Sequence, residues 1–143
     1  MTADKIFNNY ILNGFIKTNA YKLIKQIKSF NKYKKRNMRI CLNPDKKSLL
    51  HVMVIRFFKN KKKNELHYHS NKCEFYYVLK GSLKLKIKDK TKLTATILKK
   101  GSMLYMDKKT IHSVTPHSNE VIFIEIRPGP FIKNDSIIYK RQN

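Results

Sequence analysis

The chain has 143 residues, enough for one domain around one core and cramped for two. Its 41% hydrophobic and 11% aromatic content excludes a fully disordered polymer, and no run approaches the roughly 20 apolar residues of a membrane span. The formal charge of +23 invites polyanions, but 27 of the 32 basic residues are Lys and only five are Arg, the better fork for phosphate and base edges.

In chain order, Ile6–Phe15 is apolar around Asn13-Gly14 and suits either a short strand and turn or a helical piece. Residues 19–33 place Tyr21, Leu23, Ile24, Ile27 and Phe30 at helical spacing, with Thr18 or Asn19 as cap, and predict one N-terminal helix. The period then changes to two. Strands are predicted over 38–42, 49–58, 74–80, 83–88, 93–98, 103–106, 111–115 and 121–127, separated by turn signals such as Lys80-Gly81-Ser82 and Lys100-Gly101-Ser102. The clearest is 83–88, where Leu83, Leu85 and Ile87 face inward and Lys84, Lys86 and Lys88 face water. Many short strands between turns indicate an all-β antiparallel sandwich or barrel.

Histidine placement carries the chemistry. His67 and His69 stand at i and i+2, on one face of one strand. Glu74 opens the next strand, and His112 lies on a later one. A closed antiparallel barrel brings the four side chains together, and three neutral imidazoles with one carboxylate suit a divalent transition metal (Mn, Fe, Ni, Cu or Zn) with positions left open for a ligand. Strand parity adds pocket candidates: Tyr76 shares the face of Glu74, Glu125 and Arg127 share a face, and Arg56 interrupts an apolar strand. Glu125 and Arg127 read either as a structural ion pair or, through Arg127 or Arg56, as a holder of an anionic substrate group. His51 reads as a core or sheet-face histidine, His117 as a loop residue, and Cys41 as a small apolar core residue.

These residues resemble the two motifs of the cupin superfamily. The first runs Gly, five residues, His-x-His, three or four residues, Glu, six residues, Gly; His67, His69, Glu74 and Gly81 match it, with Lys61 at the leading Gly. The second runs Gly, five residues, Pro-x-Gly, two residues, His, three residues, Asn. Gly101 and His112 match, while Asp107 and Lys109 replace the Pro and Gly and Pro116 stands at the Asn position. A narrower resemblance is to the WbuC-type cupins, in a helix ahead of the barrel, in Arg39, Leu42 and Pro44 of the segment leading into it, and in residues 125–131 closing it.

The resemblance implies a cupin double-stranded β-helix of jelly-roll type: residues 1–37 a helical extension, 38–132 the barrel, 133–143 a tail. It implies one divalent metal on His67, His69, Glu74 and His112, and a setting in bacterial surface-polysaccharide biosynthesis with a sugar or sugar-nucleotide ligand. A metal-dependent isomerase or epimerase, a non-catalytic ligand sensor and an Fe-dependent dioxygenase remain alternatives, because fold does not choose a reaction. Sheet edges that need cover predict a homodimer. The lysines are spread along the chain, so a solvated basic surface is expected rather than a specific nucleic-acid partner. The absence of a basic-then-apolar leader pattern and of a disulfide framework points to the cytoplasm.

Overall fold

The computed structural model describes residues 11–12, 15–16, 37–42, 46–59 and 65–140, and every regular element among them is a strand. The expected helix over 19–33 lies outside the described residues. Strands β1 (Ile11–Leu12) and β2 (Phe15–Ile16) pair antiparallel, Leu12 opposite Phe15, while residues 6–10 and 13–14 of the expected strand or helical piece lie outside the described residues.

Ten further strands build two five-stranded antiparallel sheets. They are β3 (Met38–Cys41), β4 (Leu50–Phe58), β5 (His67–His69), β6 (Glu74–Lys80), β7 (Ser82–Lys88), β8 (Leu93–Lys99), β9 (Met103–Met106), β10 (Ile111–Pro116), β11 (Glu120–Pro128) and β12 (Ser136–Ile138). One sheet has the order β3-β4-β11-β6-β9 and the other β12-β5-β10-β7-β8, so from β4 onward the chain changes sheet at every connection except the β7–β8 hairpin. The last strand, β12, falls in the segment expected to be a tail. Three exposed residues carry no period of two, and β12 exists because it pairs with β5, Ser136 opposite His69.

The core fills the space between the sheets by strand alternation. Met53 and Ile55 of β4, Tyr76 and Val78 of β6, Leu83 and Leu85 of β7, Val114 of β10 and Val121 and Phe123 of β11 all point inward. Lys86, between the inward residues of β7, is exposed. The apolar runs of β4 and β11 also bury Val54 and Ile122 on the opposite face, which is why these strands lack a polar alternation. Following each strand away from the core toward one end gives polar residues instead: Glu74, His112, Glu125 and Arg127 continue the inward rows of β6, β10 and β11.

Gly81 makes the turn that carries the chain from one sheet to the other. Its φ is 72°, and a Cβ there would stand 2.1 Å from the Glu120 carbonyl oxygen and 2.4 Å from Ser118 Oγ. Substitution Gly81→Ala therefore combines a left-handed backbone with a backbone collision. It is expected to destabilise the fold by at least about 2 kcal/mol in urea unfolding. An unchanged midpoint would show that the β6–β7 turn adapts.

Candidate metal centre

Two neighbouring strands present the three imidazoles. His67 and His69 lie on β5, and His67 is the register partner of His112 on the neighbouring β10. The ring centroids of His67 and His112 are 4.5 Å apart, those of His67 and His69 5.4 Å, and those of His69 and His112 5.9 Å. Each imidazole offers one nitrogen to a cluster whose members all lie within 4.8 Å of one another, a spacing one ion can span.

The other ring nitrogens are already committed. Nδ1 of His112 donates to the Thr110 carbonyl at 2.8 Å and Nδ1 of His67 to the Glu65 carbonyl at 3.1 Å. A carbonyl only accepts, so in both rings the proton sits on Nδ1 and the lone pair on Nε2. Nδ1 of His69 faces Asp135 Oδ2 at 3.1 Å, and Asp135 Oδ1 accepts from the backbone N–H of Asn71 at 3.0 Å. A carboxylate behind one ring and carbonyls behind the others is the support that metal-binding imidazoles need. Burial, outweighing the raising effect of the Glu65 carbonyl, holds the His67 ring below its ordinary pKa, which favours the neutral form a metal requires.

Glu74 enters from the facing sheet. Its Oε1 lies 3.3 Å from His69 Nε2 and its Oε2 3.0 Å from His112 Nε2. All four atoms are buried without a hydrogen-bond partner of adequate geometry. With the ring protons on Nδ1, these contacts set lone pairs against lone pairs, an arrangement a bound cation reconciles. The donor set therefore fits a metal ion. Burial opposes ionisation of Glu74, yet when the metal-free His112 and His69 rings carry a second proton on Nε2, their hydrogen bonds and the Arg127 guanidinium outweigh it and hold the carboxyl well below the usual carboxylate range.

Arg127 joins the pocket as a bridge between carboxylates. Its Nη2 lies 2.5 Å from Glu74 Oε1, and its Nε contacts Glu125 Oε1. Both glutamates are 1% exposed. Tyr76 packs on Phe123 beneath them, and burial together with the Glu125 and Glu74 charges pushes its phenol well above the ordinary value, so it stays neutral. Arg56 does not join this group. Its strand parity is opposite to that of Met53 and Ile55, and its Nε pairs with Glu120 at 2.6 Å at the far end of the barrel.

Two contributors escaped the sequence reading. Asp135, a buried residue of the expected tail, orients His69, and the only local sign of it is a turn at Asn134, whose φ is 63°. His51 lines the cavity beside the imidazoles rather than a plain sheet face. The second motif also explains itself. Lys109 has φ 64°, the left-handed conformation for which a glycine at that position is suited, and its N–H donates to the His69 carbonyl at 2.7 Å.

A family model described as the Cupin_2 cupin domain matches residues 53–126, more than half of the chain. The chain belongs to the cupin family. Solved cupins share its architecture at low identity. CapF, in a structure with the inhibitor 3-isopropenyl-tropolone, gives a TM-score of 0.62 at 14% identity over 76% of this cupin and 33% of CapF. A variant of Bacillus subtilis oxalate decarboxylase OxdC gives 0.57 at 19% identity over 74% and 30%. Fe(II)-HppE with the alternative substrate (S)-1-HPP gives 0.51 at 19% identity over 63% and 48%. This cupin thus spans about half the length of HppE and a third or less of the other two, and the likeness is one of fold. No curated protein matches it.

Proposed function

We propose that this cupin is a mononuclear metalloprotein holding one divalent transition-metal ion on His67, His69 and His112, with Glu74 as fourth ligand, and that it acts on or binds a sugar or sugar-nucleotide metabolite. The observation that carries the metal reading is the convergence of three imidazoles whose Nδ1 atoms are all engaged elsewhere. The sugar reading is supported by the resemblance to WbuC-type cupins and by an adjoining cavity of 580 Å³, within the range of small-molecule sites. A bound ion would supply Lewis acidity toward a carbonyl or hydroxyl oxygen. The chain's own residues do the positioning: Asp135 orients His69, Arg127 keeps Glu74 ionised and aimed at the imidazoles, and Tyr76 closes the floor against water. Glu74 serves as a ligand rather than a free base, because its carboxylate is paired with Arg127 and its depressed pKa makes it a weak proton acceptor. The same reading places the protein in the cytoplasm as a homodimer, supported by the exposed Met103 and Tyr105 on the edge strand β9.

Elemental analysis of purified protein is the test, with about one divalent transition ion per chain expected. A protein that stays metal-free after loading with Mn, Fe, Ni, Cu and Zn in turn would overturn the proposal. Incubation of the loaded protein with a nucleotide-sugar panel then separates turnover from tight binding alone. Asp135→Asn keeps shape but weakens the anchor of His69, and is expected to lower metal affinity by about 10–100-fold in a chelator competition. Equal affinity would mean that β5 alone fixes the ring.

A further inference from the structure

The cavity beside the imidazoles has apolar walls, including Met53, Phe131 and Ile132, yet four of its lining residues are cations: Arg39, Lys46, Lys72 and Arg127. Asp135 is the acidic residue of that lining, and its carboxylate is taken up by His69 and Asn71. Arg127 is likewise occupied, bridging Glu74 and Glu125. Lys72 differs. It is 7% exposed, its Nζ donates to the Pro130 carbonyl at 2.5 Å, and it stands 5.9 Å from the Phe131 ring centre. No carboxylate among the described residues is within ion-pair distance of it. An ammonium has three donors, so one carbonyl leaves two of them unmatched in a buried group that carries a full charge. Asp135 attracts it only through space and the Arg127 charge opposes that attraction, so burial leaves the ammonium under-compensated, a cost that a ligand anion in direct contact reduces. Arg39, half-exposed and only loosely paired to Glu125 at 3.8 Å, and the exposed Lys46 stand on the rim. The Phe131 N–H donates to the Lys46 carbonyl at 2.8 Å, which holds the lysine segment against the wall of the same cavity.

We propose that the ligand of this cavity is an anion, a small polyhydroxy molecule bearing a carboxylate or phosphate group that Lys72 meets inside and Arg39 and Lys46 meet at the rim. The inference rests on the reading of the cavity as the ligand site beside the metal centre, and it names the substrate class. The anion-holding role considered for Arg127 and Arg56 passes to Lys72, because both arginines already carry glutamate partners.

Calorimetric titration at physiological ionic strength tests it with four probes: glucuronate, glucose 1-phosphate, glucose and inorganic phosphate. At least one of the two charged sugars is expected to bind about tenfold or more tightly than glucose, and which of them wins distinguishes a sugar acid from a sugar phosphate. Lys72→Met is expected to cut that binding by about tenfold or more with metal content unchanged. Lys86→Met, which removes the same charge from an exposed site on β7, controls for the +23 background and is expected to leave binding within about twofold. Should Lys72→Met fail to fold, the Arg39→Met/Lys46→Met double variant at the exposed rim carries the same test with a smaller loss. Charged probes that bind no better than glucose, or equal losses in the Lys72 and Lys86 variants, overturn the proposal. Repeating the titration on the His67→Ala protein separates it from the metal reading, since anion binding that depends on Lys72 is expected there too. If inorganic phosphate alone binds in a Lys72-dependent way, the anion site stands and the sugar reading falls.

Discussion

In the His69→Ala protein, bound metal is expected to fall from about one ion per chain to nearly none, whereas the fold persists. His69 is the imidazole held between two carboxylates: it is 4% exposed, with Nδ1 against Asp135 and Nε2 against Glu74. Replacing it removes one of the four proposed ligands and also strands the Asp135 carboxylate, which is then left with only the Asn71 hydrogen-bond donors. His67 is half-buried and hangs on a single carbonyl, so His67→Ala is expected to weaken the site less. Elemental analysis after gel filtration, with circular dichroism to confirm the fold, decides it. Undiminished metal in His69→Ala would sink the ligand assignment.

Much of this site was legible in the sequence because a strand fixes where alternate side chains go. His67 and His69 at i and i+2 had to share a face, and Glu74, Tyr76 and Val78 had to share another. The structure places each set on an inner face, at the end of rows that Val78, Val114 and Phe123 continue into the core. The same parity argument settles Arg56, which alternates with Met53 and Ile55 and so faces away from them. What stayed hidden has physical reasons. Asp135 is 66 residues from His69 along the chain, and its turn is like any other Asn-Asp turn until β12 pairs with β5. Lys72 is one of 27 lysines, and nothing local marks the one that folding buries. The turn before His112 departs from the motif in sequence yet keeps a glycine-like backbone. Lys109 lacks the flexibility of glycine but adopts the left-handed backbone all the same, because the surrounding ladder and its bond to the His69 carbonyl hold it there.

The largest stability effect is expected from Arg127→Leu. The guanidinium lies between two carboxylates that are each 1% exposed, so removing it leaves two buried acids with one remaining guanidinium, Arg39, at 3.8 Å from Glu125. Breaking a buried pair by deleting one partner costs about 3–5 kcal/mol, and unfolding in urea near neutral pH is expected to show a loss of that size. The pH dependence identifies the cause. Burial already raises the Glu125 pKa above its ordinary 4.5, against the lowering pull of Arg127 and Arg39, and losing Arg127 raises it further. A carboxyl with a raised folded-state pKa binds more protons folded than unfolded, so its stability falls as pH rises from about 4.5 through the folded value. Glu74 has a depressed pKa, and its ionised form contributes stability above the unfolded value that is lost on acidification; without Arg127 that contribution shrinks. Both changes weaken the variant most at neutral pH and least in acid. The deficit relative to the parent is therefore expected to narrow between pH 7 and about pH 4.5. A deficit that stays constant over this range would assign the loss to the packing of the arginine stem rather than to the two buried charges it neutralises.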